Sequence, residues 1–296
     1  MDRFETMRVF VAVAEAQGFA PAARRLAMSP PAVTRAVLAL EDRIGARLLH
    51  RTTRVVRLTD AGARFLADCK RILADVDEAE ASATGSHAEP RGQIGVTAPI
   101  LFGRMHVVPI ILDFLDRYPN ISTRLLFRDN LVDLIGDAFD VAIRIAHLPD
   151  SSLRAIQVGS VRRVVCASGA YLAAHGAPQT PDELSQHETI AFSASAEPVE
   201  WTFAAGQTVT PAARFTVSGS DVAIAAAVAG RGVTRVLSYQ VASEVRAGRL
   251  EIILAEFEPP PLPVSVVYAE GLRAAARVRT FVDFAVDRLR SVKALT

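Results

Sequence analysis

The stretch RRLAMSPPAVTRAVLALEDRIGARLL, residues 24–49, decides how the first part of this chain folds. Two adjacent prolines, Pro30 and Pro31, separate segments that both carry helical patterning. A proline inside a helix removes a hydrogen bond and clashes with the turn before it. In the first helical turn its missing N–H has no intrahelical partner to lose. Ser29 stands just before the prolines and is a preferred N-cap residue. SPP therefore starts a helix, and Gly45 stops it. Between them Val33, Val37, Leu40 and Ile44 form one apolar stripe at helical spacing. At about 100° per residue, Pro31, Thr34, Arg35 and Leu38 lie opposite that stripe. The helix packs on one side and is free on the other at its N-terminal half.

Upstream, Phe4, Met7, Phe10, Val11 and Ala14 repeat at helical spacing, and Gly18 ends that helix. A short second helix is predicted over about residues 21–27. Downstream, RLLHRTTRVVRLT (47–59) has two strand-like runs around RTTR, a hairpin with a basic tip. Three compact helices followed by a basic hairpin make a winged helix-turn-helix pattern. Thr59 then caps a long helix whose residues Phe65, Cys69, Ile72, Val76, Ala79 and Ala83 form a heptad seam flanked by charges. A lone helix cannot bury such a seam, so the pattern predicts pairing with a second copy. TGSHAEPRG (84–92) is a turn-rich linker. Beyond it, strand-like and helical runs alternate, which predicts an α/β domain with mostly parallel sheets and a final helix over about residues 274–293.

Charge divides the chain in the same place. Residues 1–65 hold 11 arginines and six acidic residues, a net of +5, and the remainder carries −4. A basic head on a mildly acidic body suits a polyanionic partner for the head, although an unevenly charged solvated surface gives the same count. With two lysines against 31 arginines, a single arginine says little by its type alone. Cys69 and Cys166 are far apart and have no metal spacing, so both read as buried reduced thiols. The start MDRFETMRVF lacks the apolar run of a secretory signal, and no window has the length of a membrane span. The expected location is the cytoplasm.

The stretch FVAVAEAQGFAPAARRLAMSPPAVTRAVLALEDRIGARLLHRTTRVVRLTDAG resembles the DNA-binding region of LysR-type transcriptional regulators. The resemblance is carried by Ala22-Ala23 before Arg24-Arg25-Leu26, then Ser29, Pro31-Ala32-Val33, Thr34-Arg35, Leu40-Glu41, Ile44-Gly45, Leu48-Leu49, Arg51 and Leu58-Thr59-Asp60-Ala61-Gly62. AEPRGQIGVTAPILFGRMHVVPIILDFLDRYP, FDVAIRIAHLPDSSL and RRVVCASGAYLAAHGAP extend it over essentially the whole chain.

It implies an N-terminal all-α winged helix-turn-helix (1–58), a long linker helix and hinge (59–91), and a C-terminal α/β effector domain (92–296). That last domain would be two-lobed and similar to type 2 periplasmic binding proteins. Lobe I would cover about 92–161 and 268–296, and lobe II about 162–267. The implied partners are double-stranded operator DNA, a small-molecule effector, further copies in a homodimer or homotetramer, and RNA polymerase. No cofactor or metal is implied.

For the DNA site the residues are Ser29, Pro30, Pro31, Thr34, Arg35 and Leu38, with Arg51, Thr52, Thr53 and Arg54 on the wing. Arginine can bond guanine O6 and N7 or a phosphate, threonine can donate to phosphate or touch a thymine methyl, and leucine offers apolar contact. Pro30 stands where the family often has glutamine, Ala20 near a usual serine or threonine, and Ala36 and Leu38 at commonly polar positions. The operator sequence therefore does not follow from the resemblance.

Effector residues are carried over as Thr97, Ala98 and Pro99 after the first strand, and Phe102 and Gly103 opening the next helix. Helix N-termini favour anions, so an effector with a carboxylate is expected, with Arg144 as a further pairing partner. Ser168, Ser218, Ser220 and Asp221 fall at other strand-to-helix junctions, where plain capping is their alternative role. Phe65, Cys69, Ile72, Val76 and Ala79 are the dimerisation residues.

An α/β body can also be catalytic. The sequence has no P-loop, H-E-x-x-H, G-x-S-x-G or C-x-x-C, and GRGVTR carries Arg235 where a dinucleotide loop needs its last glycine. An enzyme, or a solute-binding domain, tethered to a DNA-binding head stays as the alternative.

Overall fold

The computed structural model describes residues 1–51, 56–83, 89–130, 134, 137, 139–149, 151–193, 199–269 and 275–295. The chain forms two compact units. One is Met1–Gln93 with Asn120–Ser122 and Ala275–Arg277, and the other is Ile94–Pro119 with Thr123–Ala274 and Val278–Thr296.

The first unit begins with α1 (Arg3–Glu15), capped by the Asp2 carboxylate, which accepts the Glu5 N–H at 2.7 Å. It is followed by α2 (Phe19–Arg25) and α3 (Pro30–Ile44). Gly18 is extended and opens α2 rather than ending α1, so α2 starts two residues before the predicted position. Left-handed Gln17 and Ala27 make the turns between helices, and Ala27 places the end of α2 at Arg25. Strands β1 (Leu49–Arg51) and β2 (Val56–Leu58) pair antiparallel, with Leu49 opposite Leu58 and Arg51 opposite Val56. The long helix α4 (Asp60–Ala83) follows. Phe10, Val13, Ala22, Val33, Val37, Leu40, Leu48 and Cys69 share one core. Two details of α3 differ from the stripe. Ile44 emerges at 40% exposure where the helix ends, and Ala36, at a position that is commonly polar in the family, is buried at 3%.

The second unit holds two five-stranded sheets. The first is built from β3 (Gly92–Ala98), β4 (Ile121–Phe127), β5 (Val141–Ile145) and β6 (Leu153–Val161). The second takes β7 (Arg163–Ala167), β8 (Thr189–Phe192), β11 (Ala213–Val217), β12 (Val233–Leu237) and β13 (Glu251–Ile253). A small hairpin, β9 (Trp201–Thr202) and β10 (Thr208–Val209), stands apart. The chain returns to the first sheet as β14 (Leu262–Ala269), giving the orders β4-β3-β5-β14-β6 and β11-β8-β12-β7-β13. Helices cover the sheets. A helical run starts with α5 (Ile100–Phe102), passes through a π-helical turn at Gly103–Val107 and continues as α6 (Val108–Arg117). Further on are α7 (Gly169–His175), α8 (Ser220–Val228), α9 (Ser238–Arg246) and α10 (Ala276–Arg290).

Both sheets are mixed, not mostly parallel. β3 runs parallel to β5, and β8 parallel to β11 and β12. β14 runs antiparallel to β5 and β6, and β7 antiparallel to β12 and β13. The reason is the double crossover: β6 leads out of the first lobe and β14 leads back, so the two must run in opposite directions. β14 pairs with the first sheet from Leu262 onward, which puts the return before 262 rather than after 267.

Candidate functional site

The first candidate surface is the outer side of α3. Ser29, Pro30, Pro31 and Arg35 are exposed and Thr34 and Leu38 half-buried, whereas Val33, Val37 and Leu40 are in the core. Ser29 occupies the N-cap position, but its side chain makes no cap hydrogen bond. The two prolines explain this. They carry no N–H, and the next free amide, Ala32, donates to the Ser29 carbonyl at 2.9 Å. Thr34 donates its hydroxyl to the Pro30 carbonyl at 3.0 Å and keeps acceptor capacity outward.

A buried carboxylate that the sequence reading passed over as a site holds the wing. Glu41 is 2% exposed and accepts the N–H groups of Leu48 at 2.8 Å and Leu49 at 3.1 Å, with Arg47 at 3.3 Å. It ties the end of α3 to the start of β1. The signal for it was present: Glu41 lies four residues after Val37, on the packed side just before a glycine stop. Thr59 donates to the Arg47 carbonyl at 2.8 Å and caps α4 by accepting from Gly62 at 2.9 Å. Gly62 is required by close approach, since a Cβ there would stand 1.9 Å from the Leu48 carbonyl oxygen. The backbone of Arg51 belongs to β1, but its side chain and residues Thr52, Thr53 and Arg54 lie outside the described residues.

The seam of α4 is placed differently from the expectation. Cys69 is fully buried in the chain's own core, with Phe65 and Ile72 packed against the same cluster and the Phe65 ring 5.7 Å from Phe10. The first half of the seam is thus covered by α1 and needs no second copy. Burial also pushes the Cys69 thiol up to about 12, which removes it as a nucleophile at neutral pH. Val76 is half-buried, and the Ala79 side chain lies outside the described residues.

The second candidate site is a cleft of about 330 Å³ in the second unit. One wall consists of Pro99, Asp129, Ile145 and Leu262, from the first lobe. The other consists of Arg163, Phe192, Val199, Glu200, Trp201, Arg235, Val236, Leu237, Tyr239 and Gln240. Of the residues carried over by resemblance, Pro99 lines this cleft. Thr97 and Ala98 are buried in β3 at 2% and 3% exposure. Phe102 is buried with its ring edge-on to Tyr239 at 5.3 Å. Gly103 lies under Phe127, whose ring a Cβ would meet at 2.5 Å. Arg144 stands opposite Ser265 on β5, and burial lowers its pKa. Ser168 caps α7 by accepting the Tyr171 N–H at 3.3 Å. Ser218 is exposed before α8. Ser220 is buried and accepts from Gln240 Nε2 at 3.1 Å. Asp221 pairs with Arg104 at 3.6 Å.

The first-lobe helix start, expected to meet an effector anion, already has one. Asp129 accepts the Ile100 N–H at 3.0 Å. On the second lobe Gln240 organises the wall: its carbonyl accepts from Leu237 at 2.9 Å, and its amide also donates to the Tyr239 hydroxyl at 3.3 Å. Arg235 donates to the Thr202 carbonyl at 2.5 Å and lies 5.4 Å from the Phe203 ring centre. Burial, with Arg163 as a second cause, brings the Arg235 guanidinium down to about 10.

A winged helix-turn-helix whose third helix keeps one side exposed, joined in one chain to a two-lobed α/β domain with a cleft, is the build of a ligand-responsive DNA-binding regulator. Comparison with known proteins gives the family. Residues 4–63 match the bacterial regulatory helix-turn-helix proteins of the lysR family, and residues 87–290 match the LysR substrate binding domain. A transcriptional regulator of Xanthomonas campestris is 35% identical over 288 residues, covering 95% of this chain and 84% of its own. The structure of CrgA, a LysR-type transcriptional regulator from Neisseria meningitidis, is 33% identical with a TM-score of 0.62, covering 96% of this chain and 98% of its own. The Vibrio cholerae virulence activator AphB is 27% identical with a TM-score of 0.60 over 97% and 99%. The chain belongs to the LysR family of transcriptional regulators. Its function is DNA-binding regulation of transcription, not catalysis. No helix among the described residues is long and apolar enough to cross a membrane.

Proposed function

We propose that the free face of α3, with Ser29, Pro30, Pro31, Thr34, Arg35 and Leu38, enters the major groove of operator DNA. The wing residues Arg51, Thr52, Thr53 and Arg54 then follow the neighbouring backbone. The observation that carries this is the split of α3: its apolar side is buried in the core and its first turns, with Arg35, are exposed. Arg35 bonds a guanine or a phosphate, and Pro30 offers no polar contact.

Two copies pair through the part of α4 that begins at Val76 and includes Ala79, beyond the half covered by α1. The homodimer or homotetramer so formed reads an interrupted two-fold symmetric operator. A small-molecule effector bound in the cleft favours one DNA-binding arrangement over another and so changes transcription, in contact with RNA polymerase in the cytoplasm.

The test begins with DNA selected by the wild-type protein from a random pool. Binding is then followed by fluorescence anisotropy across a salt series. Arg35→Ala is expected to weaken binding by about tenfold or more, at unchanged helix content. Unchanged affinity and salt slope would remove α3 from the interface.

A further inference from the structure

The helical run through the π-helical turn Gly103–Val107 carries several contacts from the first lobe to the second. Phe102 and His106, four residues apart, share a helix face and both meet Tyr239 of α9, at 5.3 and 5.6 Å between ring centres. The Tyr239 hydroxyl also takes a hydrogen bond from the Phe102 main chain. Arg104 pairs with Asp221 of α8 at 3.6 Å, and Leu101 packs against a cluster of second-lobe residues. None of these first-lobe residues lines the cleft. The turn is a clasp between the lobes, separate from the space where a ligand would lie.

His106 is the weak member of this clasp. Its Nε2 is buried and has no hydrogen-bond partner among the described residues. A neutral imidazole tolerates this as a bare lone pair, with its proton on Nδ1. A second proton would go to Nε2 and leave a buried, charged donor without an acceptor, an arrangement that interiors avoid. The ionisable groups on the elements packed here are already committed. Tyr239 is bonded to Gln240 and the Phe102 main chain, Asp221 of α8 holds Arg104, and Asp129, beyond β4, holds the Ile100 amide. Arg104, on the same turn, is itself a cation. Burial accordingly lowers the His106 pKa. A ring that swings into water takes its proton near the ordinary histidine value, about 6.5. The closed clasp is therefore complete above that value, and acid favours the arrangement in which His106 has left Tyr239.

We propose that His106 is a proton-sensing site: protonation at Nε2 releases the π-helical turn from α9, parts the two lobes and so changes operator binding. The single tryptophan reads the lobes. Trp201 lines the cleft at 3% exposure, so a quencher reaches it when the lobes part. Acrylamide quenching of the full-length protein is compared at about pH 7.5 and about pH 5.5, with circular dichroism following helix content. The wild-type quenching constant is expected to rise about twofold or more at the lower pH, at unchanged helix content. His106→Phe keeps a ring in place and takes no proton, and His106→Gln takes none either. Both are expected to show no rise. His187→Gln is expected to keep the wild-type rise, because His187 bonds Tyr171 within the second lobe. Operator affinity is measured by anisotropy at the same two pH values. The ratio between them is expected to differ about threefold or more between wild type and His106→Phe. This last arm rests on the DNA-binding reading, whereas quenching needs no DNA, so the two fail separately. The proposal is overturned if wild-type quenching is equal at both pH values or rises only with loss of helix content. It is equally overturned if a folded His106 variant rises as wild type does, if His187→Gln abolishes the rise, or if wild type and His106→Phe share one operator-affinity ratio.

Discussion

In the DNA-binding head, the helix start at Ser29–Pro31, the carboxylate of Glu41 and the close contact at Gly62 all fall within one short run of chain. Each acts on a neighbour in sequence: Glu41 on Leu48 and Leu49, Thr59 on Gly62. The cleft is assembled the other way. Its lining runs from Pro99 to Leu262, and its polar contacts join Gln240 to Ser220, Arg235 to Thr202 and Asp129 to Ile100. Local pattern therefore specifies the head, and only the folded topology specifies the cleft. The head should fail all at once when one local contact is removed, and the cleft should lose its contacts one by one.

The largest effect is expected at Glu41. Glu41→Ala leaves two buried amides, those of Leu48 and Leu49, without an acceptor and frees Arg47 from its partner. A loss of about 2–4 kcal/mol of head stability follows. Hydrogen exchange at the Leu48 and Leu49 amides reads it directly, because Trp201 lies in the other unit and its emission should stay unchanged. Glu41→Gln keeps the Oε1 acceptor and should recover most of the loss. If Glu41→Ala protects those amides as well as wild type, the wing is held by something else. Next comes Arg35→Ala, which should cost about tenfold or more in operator affinity with no change in the same exchange rates. A change in both would mean that Arg35 supports the fold instead of reading DNA.

The same contrast explains what could be seen in advance. The winged head was legible because proline, serine and glycine at fixed offsets and one apolar stripe each have a local cause. The misplacements there are small and physical: Ser29 has little to cap once Pro30 and Pro31 remove two donors, and Cys69 turned inward to α1. The two-lobed body was legible as a class through its alternation and resemblance. Its mixed sheets were not, since strand direction depends on where the chain crosses between lobes. Arg163 and Arg235 were hidden for a related reason. β7 is buried on both faces after Arg163, so it shows no alternation to say which way the arginine points. Their meeting depends on the β7–β12 register, which residues so far apart do not reveal.

A smaller effect is expected at Ser168, which the sequence offered as an effector contact or a cap. The cap geometry at Tyr171 makes it the second. Ser168→Ala should lower the stability of the effector unit by about 1 kcal/mol, read by urea unfolding with Trp201 emission. The affinity of the cleft for its ligand should not change with it. A loss of affinity without a loss of stability would move Ser168 into the ligand site and weaken the contrast between local and assembled contacts.

The smallest effect tests the packing behind the cleft wall. His106 lies on the π-helical turn, 4.9 Å from the Phe102 ring and 5.6 Å from Tyr239. Its Nε2 is buried with no hydrogen-bond partner among the described residues, and burial lowers its pKa below the ordinary value for histidine. The folded state therefore binds the proton less readily than the unfolded chain. The stability that His106 contributes is complete above the unfolded histidine value, near 6.5, and is lost as pH falls through the lower folded value. His187, lowered by burial and then by His175, titrates with the same sign. The urea midpoint of the Trp201 transition should accordingly fall between about pH 7.5 and about pH 5.5. His106→Phe keeps a ring against Phe102 and Tyr239 and cannot be protonated, so it should make that fall shallower. An equal slope in the variant would assign the pH dependence to His187. His106 would then be an aromatic filler behind the cleft wall, with no electrostatic part in it.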